Sequence, residues 1–166
     1  MVLDINKNQV QKIKKYLIFK LGDNFYGLSL NEVKEVIEFK QCTPLPSSPL
    51  YLLGVINLRG KVISAIDLKR KIKAEGCEQI IKRPVLILVE INNTIIGAVV
   101  DSVSEVLAID DESIEKNYEF NPSNTSPSLY DGIARFKDRP MILIFNFNHA
   151  FNISEVVKLK EEAQVA

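Results

Sequence analysis

The sequence predicts an all-β protein made of two small barrels, and this prediction depends on two observations. Short apolar runs separated by turn residues recur along the 166 residues, which is typical of antiparallel strands. The same order of about five strands also occurs twice. Five short antiparallel strands cannot bury both faces as an open sheet. We therefore expect each copy to close into a barrel, with apolar surface between the two.

The repeat is weak but ordered. Each copy has a hairpin with a glycine in its return strand, Gly27 or Gly97, and two valines follow at equal spacing. These valines are Val33 and Val36 in the first copy and Val103 and Val106 in the second. Each copy then has a second hairpin whose turn carries a base, Arg59 or Lys137. The repeat therefore predicts two lobes of similar topology.

The first hairpin is predicted over Tyr16–Leu21 and Phe25–Leu30, from their apolar and aromatic composition. It follows a polar segment, residues 1–15, that we expect to be loosely ordered. Asn31 is expected to cap a single helical turn. The next extended segment then begins at Val33.

The second hairpin follows a proline-rich stretch. Thr43–Pro49 contains three prolines in seven residues, so it must be extended and cannot lie in a central strand. Leu50–Leu53 is expected to form a helical turn. The hairpin strands are then placed at Val55–Leu58 and Val62–Ile66, and Gly60 supplies the positive φ that the turn needs.

The second copy begins after a charged stretch, Lys69–Lys82, which we expect to be a solvated loop with a basic cluster at Lys69–Lys73. Val85–Val89 is apolar without alternation, which favours a strand buried on both faces. It pairs with Ile95–Val100 across a turn. Asp110–Leu129 is a long polar segment of the kind that usually has a functional role or is disordered.

The chain is predicted to end with one more hairpin and a helix. A last hairpin is predicted over Tyr130–Phe136 and Pro140–Phe147. Asn152 and Glu155 then have the spacing of a capping box, which predicts a C-terminal helix over residues 153–166. Its apolar face is expected to consist of Ile153, Val156, Val157 and Lys160.

Composition excludes several classes of function. Lys+Arg and Asp+Glu are both 21, and this neutral balance argues against a nucleic-acid-binding face. Cys42, Cys77 and the only histidine, His149, are isolated, so we expect no metal or cofactor site. No nucleophile–base pair or phosphate loop stands out, which favours a binding module over an enzyme. Without a signal peptide or an apolar membrane span, we expect a cytoplasmic protein with no direct membrane insertion.

Five pieces of sequence, in order, resemble the CheW-like family, the coupling proteins of bacterial chemotaxis. They are Phe19-Lys20-Leu21-Gly22-x-x-x-Tyr26-Gly27, Val33-Lys34-Glu35-Val36, Leu53-Gly54-Val55-Ile56-Asn57-Leu58-Arg59-Gly60, Ile66-Asp67-Leu68 and Gly97-Ala98-Val99-Val100-Asp101-x-Val103-x-x-Val106. The resemblance implies two intertwined five-stranded, SH3-like β-barrels with a shared hydrophobic core. It places one domain at residues 16–152, with lobes of roughly 16–80 and 81–152 that exchange strands.

The resemblance also implies a non-catalytic adaptor. Such a protein links the cytoplasmic tips of chemoreceptors to the regulatory domain of the histidine kinase CheA, and is recruited to receptor arrays at the membrane. Kinase contacts would use one end of each barrel, and the receptor tip would lie in the groove between them. The partner-binding candidates carried over by motif are Val33, Glu35, Val36, Gly54, Asn57, Arg59, Gly97, Val103 and Val106.

Two features depart from the family pattern. The second hairpin reads Ser64-Ala65 where a proline usually precedes Ile-Asp-Leu, and the last strand ends Phe145-Asn146-Phe147 rather than Leu-Asp-Leu. Two alternatives stay open: a coupling protein of a parallel pathway, such as pilus or gliding motility, and a small double-barrel enzyme.

One contact between candidates can be predicted. Glu35 and Arg59 are charges set among apolar residues, and such charges are tolerated when they are exposed or paired. The repeat places their segments in the same barrel. We therefore expect them to form an ion pair near the receptor-binding groove.

Overall fold

The structure, a computed structural model, describes residues 12–73, 82–116 and 129–165. Eleven strands and three short or medium helices make up this part of the chain. The strands are β1 Ile13–Leu21, β2 Asn24–Ser29, β3 Val33–Glu38, β4 Leu52–Leu58, β5 Lys61–Asp67, β6 Val85–Ile91, β7 Thr94–Val100, β8 Ser102–Asp110, β9 Ile114–Glu115, β10 Tyr130–Ala134 and β11 Ile142–Phe145. The helices are α1 Leu68–Ile72, α2 Phe147–Ala150 and α3 Ile153–Val165, with a 3-10 turn at Asp111–Ser113.

The strands form two sheets, and each sheet takes strands from both halves of the chain. One has the order β8-β1-β2-β11-β10-β9 and the other β3-β6-β7-β5-β4. Neighbouring strands are antiparallel except for two parallel pairs, β2 with β11 and β5 with β7. The predicted repeat is visible in these orders, since β8, β1, β2, β11 and β10 occupy the places of β3, β6, β7, β5 and β4.

The core has three clusters, which fits two barrels with a shared interior between them. One cluster lies in the first sheet's barrel, around Ile18 and Ile144, and another in the second sheet's barrel, around Leu86 and Ala65. The third and largest lies between the sheets. The fold class is therefore the predicted one, two intertwined small barrels with a common hydrophobic core.

Strand β6 shows how the sequence pattern predicted a strand that is buried on both faces. Ile87, Val89 and Ile91 point to the cluster between the barrels, whereas Leu86 and Leu88 point into their own barrel. Both faces of the strand are buried from Leu86 to Val89, so every position from Val85 to Val89 is apolar and no alternation appears there. The predicted double-sided burial of Val85–Val89 is confirmed.

Three local predictions about the first half were wrong. The chain turns at residues 30–32 without a helix at Asn31, and it is already in β4 at Leu52, where a helical turn was expected. Strand β1 begins at Ile13, inside the segment expected to be loosely ordered, because Ile13–Lys15 pair with β8. Residues 1–11 lie outside the described residues.

The basic cluster is not a solvated loop. Asp67 accepts from the backbone N–H of Arg70 at 3.1 Å and caps α1, and Leu68 is fully buried. The Lys69 side chain is only 3% exposed, and its ammonium lies 2.9 Å from Asp101. Asp101 also accepts from the backbone N–H of Gly22 at 2.7 Å. A lysine can be buried here because a carboxylate partner is fixed beside it.

The C-terminal helix begins as predicted, but Val157 and Lys160 of its predicted apolar face are exposed. Asn152 accepts from the N–H of Glu155 at 2.8 Å, and Glu155 accepts from the N–H of Asn152 at 3.0 Å, which confirms the capping box. Among the α3 side chains that the structure describes, Leu159 and Ala163 are buried. Ile153 and Val156, the other two residues of the predicted face, have side chains outside the described part of the structure. The orientation follows from docking on β5, where the Ser64 hydroxyl donates to the Leu159 carbonyl at 2.9 Å.

Candidate functional site

The turn between β4 and β5 has a backbone shape that presents its arginine outward. Arg59 and Gly60 have φ of 51° and 80°, the two positive values of a tight hairpin turn that suits the twist of its strands. The backbone N–H of Gly60 donates to the Asn57 side chain at 3.0 Å. Asn57 therefore shapes the turn rather than offering its amide oxygen to a partner.

The predicted ion pair between Arg59 and Glu35 is confirmed and is bidentate. The two guanidinium nitrogens of Arg59 donate to the two carboxylate oxygens of Glu35 at 3.0 and 2.7 Å. Arg59 is 75% exposed and Glu35 30%, so the pair is a surface feature worth at most about 1 kcal/mol of stability. Its main effect is to hold the guanidinium in one orientation.

The pair also shows how the sheet closes. Glu35 lies on β3 and Arg59 directly follows β4, and these are the two edge strands of the five-stranded sheet. Their side chains can meet only if the sheet curls until its edges approach. The apolar cluster inside this barrel agrees, because Ile37 of β3 and Ile56 of β4 both pack against it.

The second barrel has an equivalent pair that sequence reasoning missed. Glu105 lies on β8 in the place of Glu35 on β3, and it accepts from the Arg139 guanidinium at 2.8 Å. The turn base that pairs is therefore Arg139, whereas Lys137 was the predicted counterpart of Arg59. The shared spacing of Val33-x-Glu35-Val36 and Val103-x-Glu105-Val106 was the signal that could have found it.

The four candidate valines divide in the same way in each barrel. Val33 and Val103 are partly buried and pack against the central cluster. Val36 and Val106 are 39% and 49% exposed. Each exposed valine follows its glutamate directly in sequence, so on each strand the valine lies on the opposite face from the Glu–Arg pair.

The two candidate glycines are buried and act through shape. Gly54 has a φ of +145°, and a Cβ there would lie 2.1 Å from the carbonyl oxygen of Thr43. A Cβ at Gly97 would lie 2.8 Å from a methyl group of Leu86. Neither residue offers a side chain to a partner. The structure thus brings Glu35, Asn57 and Arg59 together at one turn, whereas Val36 lies on the opposite face of β3 and the two glycines are buried.

The departures from the family pattern have structural roles. Ser64 holds α3 through the hydrogen bond to Leu159. Asn146 accepts from the backbone N–H of His149 at 3.3 Å and caps α2, as Asp67 caps α1. Phe145 and Phe147 pack edge to face, 4.9 Å apart between ring centroids, in the central cluster.

The described residues lack two kinds of feature, a metal-ligand cluster and a membrane-spanning helix. In ranges 12–73, 82–116 and 129–165, no three His, Cys, Asp or Glu side chains are grouped so that they could hold a metal ion. No helix among these residues is both long and apolar enough to span a membrane. Most of the long Asp110–Leu129 segment, residues 117–128, lies outside the described part of the chain.

The fold defines a class of protein built from two interlocked small β-barrels with a common core. The family model described as "CheW-like domain" matches residues 15–155, and the chain belongs to that family.

Relatives support the same assignment. The chain is 30% identical over 149 residues to the probable chemotaxis protein CheW of Rhizobium etli, covering 90% of this chain and 94% of that protein. It is 32% identical over 131 residues to the chemotaxis protein CheW of Klebsiella aerogenes, covering 79% and 78%. The crystal structure of the scaffolding protein TtCheW from Thermoanaerobacter tengcongensis superposes with a TM-score of 0.75 at 35% identity, covering 86% of this chain and 95% of that one. The protein is a chemotaxis scaffold.

Proposed function

We propose that this scaffold links the cytoplasmic tips of chemoreceptors to the regulatory domain of the histidine kinase CheA, so that receptors control the kinase. The observation that carries the proposal is the bidentate Arg59–Glu35 pair at the surface, on an edge strand that also exposes Val36 on its other face. Such a surface combines an oriented cation with apolar area, which suits recognition of another protein.

The pair supports the proposal because it adds little to folding. An exposed ion pair contributes at most about 1 kcal/mol to the free energy of unfolding. This pair nevertheless holds the long, flexible side chain of Arg59 in a single orientation. Holding it lowers the conformational entropy that a partner must overcome on binding. Val106 is likewise exposed on β8 of the other barrel, while Val33 and Val103 pack against the cluster between the barrels.

The proposed action is binding alone, in the cytoplasm and at receptor arrays. Family membership supports a scaffold rather than a catalyst, and the protein is expected neither to hydrolyse ATP nor to accept phosphate. Its output is instead the activity of the kinase, which it raises only when receptor is also bound.

The test is a co-sedimentation assay with the full chain, purified kinase and membranes carrying receptor-tip fragments from the same cell. We expect kinase to sediment, and its autophosphorylation to rise, only when all three are present. Radiolabel on this chain, or kinase activity that is indifferent to its addition, would contradict the proposal.

A further inference from the structure

A cleft lies between helix α3 and the strands β5 and β7, beside the turn that carries Arg59. Its volume is about 330 Å³, the lower end of the range for sites that bind small groups. The floor is apolar and is formed by Ile63, Ile95, Ile96, Leu159 and Ala163. Polar side chains, among them Asn93 and Gln164, stand at the rim.

The charge of the cleft is one-sided. Lys61 and Lys160 both line it, and its described lining includes no carboxylate. Neither lysine forms an ion pair with any residue in the described ranges. In a chain of zero net charge, this is a local site with two uncompensated cations around an apolar floor.

Glu155 of α3 binds groups that lie outside the cleft. Glu155 accepts from the ammonium of Lys71 at 2.5 Å and from the Tyr51 hydroxyl at 3.2 Å. These bonds anchor the start of the helix on the far side, while Lys160, Ala163 and Gln164 line the cleft. The described lining of the cleft therefore includes Lys160 and none of the carboxylates of α3.

The walls of the cleft are held in place. Leu159, Ile63 and Ile96 are all buried, and the Ser64–Leu159 hydrogen bond joins the helix wall to the strand wall. Because the cleft is preformed, little of the binding free energy is lost in rearranging the protein around a ligand. An occupant therefore needs one aliphatic group for the floor and negative charge for the rim.

We propose that this cleft binds an acidic segment of a protein partner, which inserts one aliphatic side chain between flanking carboxylates. Because two lysines line the cleft, charge complementarity favours a negatively charged occupant. The location of the cleft favours a protein segment as the occupant, because Lys61 directly follows the Arg59-Gly60 turn and the cleft continues the surface proposed to contact partners. In that respect the inference rests on the proposed function.

The experiment follows amide signals of the isotopically labelled full chain by NMR during titration with a capped peptide of alternating Glu and Leu. We expect saturable shifts at Ile95, Ile96 and Ala163, with the alternating Lys and Leu peptide as the charge control. Lys61→Glu combined with Lys160→Glu should weaken binding about tenfold or more, the equivalent of roughly 1.4 kcal/mol. Lys61→Arg combined with Lys160→Arg should retain it.

The matched control reverses two exposed lysines outside the cleft, Lys15→Glu with Lys73→Glu, and should leave peptide binding unchanged. Absence of shifts at the cleft, equal binding of the lysine peptide, or unchanged affinity of the Lys61/Lys160 reversal would overturn the inference. The titration uses neither kinase nor receptor. Peptide binding with failed co-sedimentation would therefore overturn the proposed function alone, and the reverse result would overturn the cleft alone.

Discussion

Arg139 donates to Glu105 at 2.8 Å in the second barrel, in the place that Arg59 and Glu35 occupy in the first. Each glutamate lies on an edge strand and each arginine in or next to the turn of the facing hairpin. The two barrels are thus closed by the same kind of contact, although the first pair is bidentate and the second is joined by one hydrogen bond.

The two pairs should differ in strength. We expect a double-mutant cycle on Arg59 and Glu35, using alanine at both positions, to give a coupling of about 0.5–1 kcal/mol, and the cycle on Arg139 and Glu105 to give less. Two parallel hydrogen bonds fix the geometry better than one. Urea unfolding measures both couplings, and both should shrink in high salt. A larger coupling for the Arg139 pair would contradict this reading of the geometry.

Arg59→His should leave folding nearly intact and weaken assembly. The side chain is 75% exposed, so its loss should change the free energy of unfolding by no more than about 1 kcal/mol. The histidine cannot reproduce the guanidinium fork on Glu35, so co-sedimentation with kinase and receptor should fall. Arg135→His is the control, since Arg135 forms a surface pair with Glu115 at 3.3 Å. Normal assembly of the Arg59 variant would remove this residue from the proposed site.

Gly54→Ala should be strongly destabilising, and Gly60→Ala only mildly so. Both glycines have positive φ, but a Cβ at Gly54 would lie 2.1 Å from Thr43 backbone oxygen, whereas nothing lies within 4 Å of one at Gly60. Gly60→Ala should therefore cost about 1–2 kcal/mol from backbone strain. Gly54→Ala should cost more than about 3 kcal/mol, because the backbone must also move. Equal midpoints of thermal unfolding in the two variants would show that the approach of Thr43 is unimportant.

Lys69→Met should destabilise the protein far more than Arg70→Met. Lys69 is buried against Asp101 at 2.9 Å, and its removal leaves that carboxylate without its cation. Breaking such a pair costs about 3–5 kcal/mol, whereas Arg70 is half-exposed and pairs with Asp67 at 3.3 Å. Chemical denaturation measures both. Adding Asp101→Asn to Lys69→Met should recover part of the loss, and a double variant no more stable than Lys69→Met would argue against the pair as its cause.

Acid should weaken the attachment of α3 through Glu155. Partial burial works to raise the pKa of Glu155, but hydrogen bonds from Lys71 and from the Asn152 backbone outweigh it and hold the pKa below its ordinary value of 4.5. The unfolded state then takes up a proton first, so this stabilisation is present above about pH 4.5 and is lost as pH falls through the lower folded pKa.

The measurement is the thermal midpoint between neutral pH and about pH 3, a window set by ordinary carboxyl pKa values. Wild type should lose more stability over this range than Glu155→Gln, which has no carboxylate to protonate. Glu161→Gln is the control on an exposed carboxylate of the same helix. Parallel curves for wild type and Glu155→Gln would contradict the assigned role.

Much of the candidate site could be predicted because it is local in the chain. The turn at Arg59-Gly60 follows from a glycine between two β-rich runs, and the Glu35–Arg59 contact follows from two isolated charges in one repeat. Arg139 could not be placed in the same way. The second hairpin connection is longer, so the distance along the chain from strand to base no longer matched the first copy.

The sequence by itself determined where the strands lie, that their order repeats, and where α3 begins, because hydrophobic runs, turn residues and capping boxes act between neighbours in the chain. Only the tertiary structure decided that β3 pairs with β6 and β8 with β1, that Lys69 is buried, and that α3 turns Leu159 and Ala163 inward. Each of these depends on a partner far away in sequence. The carboxylate of Asp101 allows the ammonium of Lys69 to be buried. The hydrogen bond from Ser64 to Leu159 sets the orientation of α3, which the residues of the helix alone do not determine.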